Sequence, residues 1–164
     1  MNLEITSKVK ELLKSSRKIV VVGHKNPDGD AIGSCLGLAN YLRQKGHKIS
    51  VIMPNDFPDF LKWIPEADSI LILEKDPVKC KRFIDESDLI FTLDFNALDR
   101  TGELQRSLEK SDSDFIMIDH HQDPDTYAKV TYSDVSICST SQMVFHFIES
   151  LNDLDTINKN IATQ

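Results

Sequence analysis

Cysteine is scarce in this chain, with only Cys35, Cys80 and Cys138, and no two of them form a C-x-x-C pair. That excludes a zinc ribbon and a disulfide scaffold, and it predicts buried, reduced thiols in a cytoplasmic protein. No apolar stretch approaches the roughly 18 residues of a membrane span. No signal peptide is expected, because Met1 to Lys18 is polar and charged. Internal repeats and low-complexity segments are absent. Basic charge is short as well: 19 Lys and Arg stand against 26 Asp and Glu, a net charge of −7. Such a surface does not hold long duplex DNA. A phosphorylated small substrate stays accessible wherever bound cations reverse the local charge.

What is present describes one globular domain. The chain has 164 residues, 40% apolar and 27% charged, enough for a proper core. Five apolar runs read as strands at about 18–23, 48–53, 69–73, 88–93 and 114–118, with a short edge strand at 128–132. Between them lie helical patterns at 3–16, 30–45, 77–87, near 101–110 and at 139–151, the last opened by a Ser-Thr-Ser cap. Residues 155–164 read as the start of a further helix. Strands alternating with helices predict an α/β, three-layer sandwich around a mostly parallel sheet of about five strands. The loop 54–65 is rich in proline and aromatics, and Trp63 is expected to pack within it. His47 is expected at the surface, and His146 packed on its helix. Met143, Phe147 and Leu151 have core spacing.

Three of the apolar runs end in residues that bind metal. The first leads into His24-x-x-x-Asp28-x-Asp30, the second into Asp94, and the third into Asp119-His120-His121. Parallel strands present functional residues at their C-terminal ends, so all three groups are expected at one sheet edge. Each has a plainer reading: an Asp-Gly turn with Asp30 as a helix cap, Asp94 capping the segment after it, and two loop histidines. Their conjunction favours a polynuclear site, because carboxylates gathered at one edge repel until cations neutralise them. Carboxylates with some imidazole suit Mn²⁺ or Mg²⁺ better than structural Zn²⁺. Two ions bridged by Asp94 would activate a water and stabilise charge developing on phosphorus.

The set His24-x-x-x-Asp28-x-Asp30-Ala31-x-Gly33-Ser34, then Asp94, then Asp119-His120-His121, resembles the DHH phosphoesterase superfamily, most nearly its bacterial oligoribonuclease and phosphoadenosine-phosphate phosphatase branch. The resemblance implies a DHH catalytic domain with two Mn²⁺ ions. His24 and Asp28 would hold one ion, Asp30 and His120 the other, and Asp94 would bridge them. Asp119 would support a histidine, and His121 would contact the scissile phosphate or the leaving group. Arg100, within Asp99-Arg100-Thr101-Gly102, matches a recurring family segment and becomes a candidate substrate contact. The implied function is Mn²⁺-dependent hydrolysis of short oligonucleotides or adenosine 3′,5′-bisphosphate by a two-metal-activated water. Cyclic-dinucleotide phosphodiesterase and inorganic pyrophosphatase are the rivals, and a non-catalytic nucleotide- or metal-binding module is the alternative of another class. A homodimer is compatible with the resemblance. The family also carries a fourth motif and a C-terminal substrate-binding domain. Residues 1–164 are therefore expected to be a DHH domain truncated before both, with its activity alone left open.

Overall fold

The computed structural model describes all 164 residues. Six strands form a single sheet: β1 (Lys18–Val22), β2 (Lys48–Met53), β3 (Leu71–Ile72), β4 (Leu89–Leu93), β5 (Asp114–Asp119) and β6 (Val130–Ser133). Their order is β3-β2-β1-β4-β5-β6, and every pairing is parallel. The expected sheet was mostly parallel with about five strands. The sixth is the edge strand, at Val130–Ser133 where 128–132 is predicted.

Alternation along the strands builds two cores. Ile19 and Val21 of β1, Phe91 of β4 and Ile116 of β5 face the larger one, with Val9 of α1 (Leu3–Leu12), Leu36 of α2 (Gly29–Gln44) and Phe147 of α5 (Thr140–Ser150). Val20, Val22 and Ile90 face the smaller one, with Ile84 of α3 (Pro77–Asp85) and Leu108 of α4 (Gln105–Glu109). This is the three-layer sandwich the alternating pattern predicts. Burial on both sides explains why β4 reads as an apolar run broken only by Thr92: all five of its residues are buried.

Strand order reverses direction between β1 and β4. In such sheets the crevice beyond the strand C-termini at that reversal is the natural ligand site. The loop after β1 and the residue after β4 therefore meet at one place, although about 70 residues separate them.

Several local expectations need correction. The segment expected as a helix near 101–110 is a 3₁₀ stretch over Leu98–Leu104 followed by the short α4, because Gly102 breaks it at φ +57°. The pattern over 3–16 makes Leu3, Val9, Leu12 and Leu13 the apolar face of the first helix, but Leu3 is exposed, and Thr6, Val9 and Leu12 form the inner face of α1. Cys138 is exposed while Cys35 and Cys80 are buried. His47 is buried, accepting the Arg17 N–H at Nδ1 from 3.3 Å away. Burial, aided by Arg17 and Lys45, pushes its pKa down. Trp63 is 69% exposed rather than packed.

The segment after α5 is pinned to α2 by Asp153, whose carboxylate accepts the Tyr41 hydroxyl at 2.6 Å and the Lys45 ammonium at 2.9 Å. Burial alone would raise the Asp153 pKa, but these two donors outweigh it and hold it below the ordinary 3.8. A depressed carboxylate pKa stabilises the fold above the unfolded value, and that stability is lost as pH falls through the folded value. Asp153→Ala is accordingly expected to cost about 1–3 kcal/mol at pH 7. The gap from wild type should close once pH drops below 3.8. Denaturant unfolding of both proteins across that range is the check.

Candidate metal centre

His24 follows β1 through Gly23 and is buried. Its Nδ1 meets the Lys25 carbonyl at 2.9 Å. A carbonyl only accepts, so Nδ1 carries the proton and the Nε2 lone pair is free. Nε2 lies 3.6 Å from Asp94 Oδ2. His120 is arranged alike: Nδ1 meets the Ile137 carbonyl at 3.2 Å, and Nε2 lies 3.5 Å from Asp94 Oδ1 and 3.9 Å from Asp30 Oδ2. Backbone carbonyls that fix an imidazole this way are the usual support of a metal-binding histidine.

Asp94 is the centre of the constellation. It is only 2% exposed and has left-handed backbone, φ +66°. Its N–H donates to the Ile118 carbonyl, which ties the residue to the end of β5. The two carboxylate oxygens face different histidines, His24 on one side and His120 on the other. The nearby Asp94 carboxylate raises the His24 pKa against the lowering effect of burial.

Asp28 caps α2, its Oδ1 accepting the N–H groups of Asp30 and Ala31 at 3.0 and 3.1 Å. Asp30 has a role the sequence did not reveal. Its Oδ2 accepts the Thr140 N–H at 2.7 Å, and its Oδ1 accepts the Ser141 N–H and hydroxyl at 2.8 and 2.7 Å. It thus caps α5, a helix 110 residues away, rather than its own. Thr140 Oγ1 also donates to Asp94 Oδ1 at 2.8 Å. The positive N-terminal end of α5 therefore lies against two carboxylates of the cluster and offsets part of their repulsion.

Donor atoms of His24, Asp28 and Asp94 all lie within 4.8 Å of one another, as do those of Asp94, His120 and His121. The separations of 3.5 to 3.9 Å between imidazole and carboxylate are too long for good hydrogen bonds. They suit atoms sharing one cation at about 2.1 Å, which sit about 3 Å apart when adjacent and about 4 Å apart when opposite. The donors are hard oxygens and imidazole with no thiolate, since Cys35 is fully buried and burial keeps it a thiol. The set fits hard divalent cations.

Asp119, wholly buried at the end of β5, accepts His121 Nδ1 at 2.7 Å and the His121 N–H at 3.1 Å. Arg100 is exposed, and its guanidinium makes no hydrogen bond or ion pair; its carbonyl accepts the Lys25 N–H at 2.8 Å. Lys25 is likewise exposed with a free ammonium. Gly102 permits this approach, because a Cβ there would sit 3.0 Å from Lys25 Cδ. Lys25 and Arg100 are thus two unpaired cations on segments joined by this backbone bond, Lys25 directly after His24, in a chain of net charge −7. Lys25 went unnoticed in the sequence; its only signal is its place directly after His24.

Removing the Thr140 hydroxyl tests how far α5 supports the centre. Thr140→Val is expected to destabilise the metal-free fold by about 1.5–3 kcal/mol, the range for a lost hydrogen bond to a charged group. Thermal or urea unfolding would show it. An unchanged midpoint would mean that water replaces the hydroxyl at Asp94.

The family described as "DHH family, N-terminal domain" matches residues 18–164. The chain belongs to the DHH family. Similarity to individual DHH proteins is more distant. The bifunctional oligoribonuclease and PAP phosphatase NrnA of Thermus thermophilus is 32% identical over 145 residues, 87% of this chain and 40% of that protein. The cyclic-di-AMP phosphodiesterase PdeA of Listeria monocytogenes is 23% identical over 97% of this chain and 25% of its own length. Among solved structures, an exopolyphosphatase-related protein from Bacteroides fragilis superposes with a TM-score of 0.96 at 38% identity, over 99% of this chain and 49% of that one. Exonuclease RecJ bound to manganese gives a TM-score of 0.54 at 19% identity and shows a shared fold alone. The DHH domain described here thus spans between a quarter and a half of the length of these relatives. No helix is long and apolar enough to cross a membrane.

Proposed function

We propose that this DHH domain is the catalytic part of a phosphoesterase that hydrolyses short oligonucleotides, adenosine 3′,5′-bisphosphate or both. The observation that carries the reading is the buried Asp94 carboxylate, shared between a His24 and Asp28 group on one oxygen and His120 on the other. His24, Asp28 and Asp94 would hold one Mn²⁺ or Mg²⁺, and Asp30, His120 and Asp94 a second. Bound there, the cations would supply Lewis-acid charge for the phosphoryl oxygens and lower the pKa of water.

The remaining roles belong to the chain. Lys25 and Arg100 draw an anionic substrate toward an otherwise acidic surface. Asp119 orients the His121 ring through Nδ1, so the opposite nitrogen can hydrogen-bond to the phosphoryl group or give a proton to the leaving oxygen. The α5 N-terminus holds Asp30 and Asp94 in place before substrate arrives, which lowers the reorganisation needed during reaction. We further propose that residues 1–164 act beside a substrate-binding domain in a longer polypeptide, given the greater length of the relatives. NrnA favours the nucleotide reading; the similarity to PdeA keeps cyclic dinucleotides as the second.

The test is an assay of metal-free protein with and without added Mn²⁺. Phosphate release from adenosine 3′,5′-bisphosphate, or cleavage of a dinucleotide, is expected only with metal. Binding of metal and nucleotide with no turnover of these or of cyclic di-AMP would leave a binding module instead.

A further inference from the structure

The loop that carries His121 has little of its own to hold it. No helix occupies the interval between β5 and β6, and residues 121–126 are all exposed. At the far end, Tyr127 returns to the body of the protein: its hydroxyl pairs with Thr92 Oγ1 at 2.8 Å, and its ring meets Phe115 edge-on with centroids 5.6 Å apart. Between those ends, every hydrogen bond that ties residues 122–126 to the rest of the protein goes to one residue, Asn96. Its Nδ2 donates to the Gln122 carbonyl at 2.9 Å and, more weakly, to the Asp123 carbonyl at 3.4 Å. Its own carbonyl accepts the Asp125 N–H at 2.8 Å. Asp123 has φ +54°, a left-handed turn that Asp tolerates, and the turn presents both carbonyls to one amide.

Asn96 is itself firmly placed. Two residues earlier, the Asp94 N–H is bonded to the Ile118 carbonyl, and Phe95 between them is fully buried in the smaller core. Four residues later, the Arg100 carbonyl accepts the Lys25 N–H. The segment after β4 therefore braces both neighbouring loops, the one after β1 through Arg100 and the one after β5 through Asn96. His121 stands between two fixings. Asp119 takes its ring Nδ1 and its backbone N–H, and Asn96 holds the carbonyl of the very next residue. Asp119 sets the tautomer of the ring; the tether at Gln122 limits how far the exposed backbone that bears it can move. A misplacement of about 1 Å can cost a reaction about 10²-fold.

We propose that Asn96 is a positioning residue that fixes His121 beside Asp94 and His120 by tethering Gln122 and Asp125. This rests on the phosphoesterase reading, in which His121 serves the phosphoryl group or the leaving oxygen. The Asn96 amide nitrogen is occupied by loop carbonyls, so it acts through His121 and not on substrate.

Asn96→Ala removes the tether and leaves Asp94, Phe95 and His120 in place. Its unfolding midpoint should stay near wild type, since the side chains of residues 121–126 are exposed. Amide hydrogen exchange of the metal-free protein requires no turnover: the His121 and Asp125 N–H groups are expected to exchange about tenfold faster, with those of β4 and β5 unchanged. In the Mn²⁺ assay with a dinucleotide, kcat is expected to fall about 10–100-fold while KM and Mn²⁺ affinity stay within about twofold. Combined with Asp119→Asn the losses should not multiply, because both act on His121; the double variant is expected within about threefold of Asp119→Asn alone. Full multiplication of the two losses would overturn the proposal, as would an unchanged kcat or unchanged exchange at His121. A drop in Mn²⁺ affinity that matches the loss of kcat would also overturn it, by showing that the tether serves the cation donors instead. A wild type that turns over no substrate would remove the phosphoesterase reading, and exchange at His121 would still decide whether Asn96 places that residue.

Discussion

Asp94→Asn is expected to lower phosphoester hydrolysis on the order of 10³-fold, because removing a single preorganised electrostatic group typically costs about 10²–10³ and this carboxylate serves two donor groups. Asparagine is the informative replacement for three reasons. Position 94 has φ +66°, which Asn tolerates as Asp does, whereas Ala would add backbone strain of about 1–2 kcal/mol. An amide oxygen can still accept the Thr140 hydroxyl, now 2.8 Å from Asp94 Oδ1. The substitution also removes a charge that is 2% exposed, which relieves desolvation. Metal-free stability should therefore stay close to wild type while activity collapses. Calorimetric Mn²⁺ titration should show both binding events weakened together. Loss of one event with the other intact would mean that the ions do not share Asp94.

The parts of this centre that were legible in the sequence are those that follow apolar runs. His24, Asp94 and Asp119-His120-His121 each stand just beyond a buried strand, and the pleated alternation of β1 and β5 fixes which way the chain emerges. Bringing them together needed only the parallel sheet, and the reversal of strand order between β1 and β4 supplied the meeting point. The support around them was not legible. Thr140 and Ser141 read as an ordinary helix cap, and nothing local says that the carboxylate they hold is Asp30. His47 was misplaced for the same reason, since its partner Arg17 is 30 residues away. Trp63 was misread differently. Aromatic content suggested packing, but the spacing of Leu61 and Ile64 decides the inward face and leaves Trp63 outside.

Hydrogen bonds that cross the sequence also give the centre its mechanical character. Asp28 fixes the start of α2, while Asp30 and Asp94 fix the start of α5. Shifting any of these carboxylates would unfasten a helix end from its cap, which typically costs about 0.5–2 kcal/mol. The donor atoms are thus held by the same bonds that hold the fold, and the site is stiff before any ligand arrives.

Asp119→Asn separates orientation of a histidine from holding of a cation. Both Asp119 oxygens are used by one residue, Oδ1 by the His121 ring and Oδ2 by the His121 backbone N–H. Asparagine can keep one of these contacts but not both. If its oxygen takes the backbone N–H, its NH₂ group faces Nδ1 and forces the proton to the other ring nitrogen. In the neutral ring the nitrogen left for substrate then carries the proton and can no longer accept one, and the ring loses the buried carboxylate that would stabilise positive charge on it during proton transfer. By comparison with other carboxylate–imidazole pairs, kcat is expected to fall about 10²–10⁴-fold. KM and Mn²⁺ affinity should change little, because His24, Asp28 and Asp94 are untouched. A further reading distinguishes proton transfer from positioning. With a p-nitrophenyl phosphoester, whose leaving group needs no proton, the defect should shrink well below that seen with a dinucleotide. If the loss were instead the same for both substrates and matched a drop in Mn²⁺ affinity, His121 would belong with the donors around Asp94 and His120, with which it already forms a group within 4.8 Å.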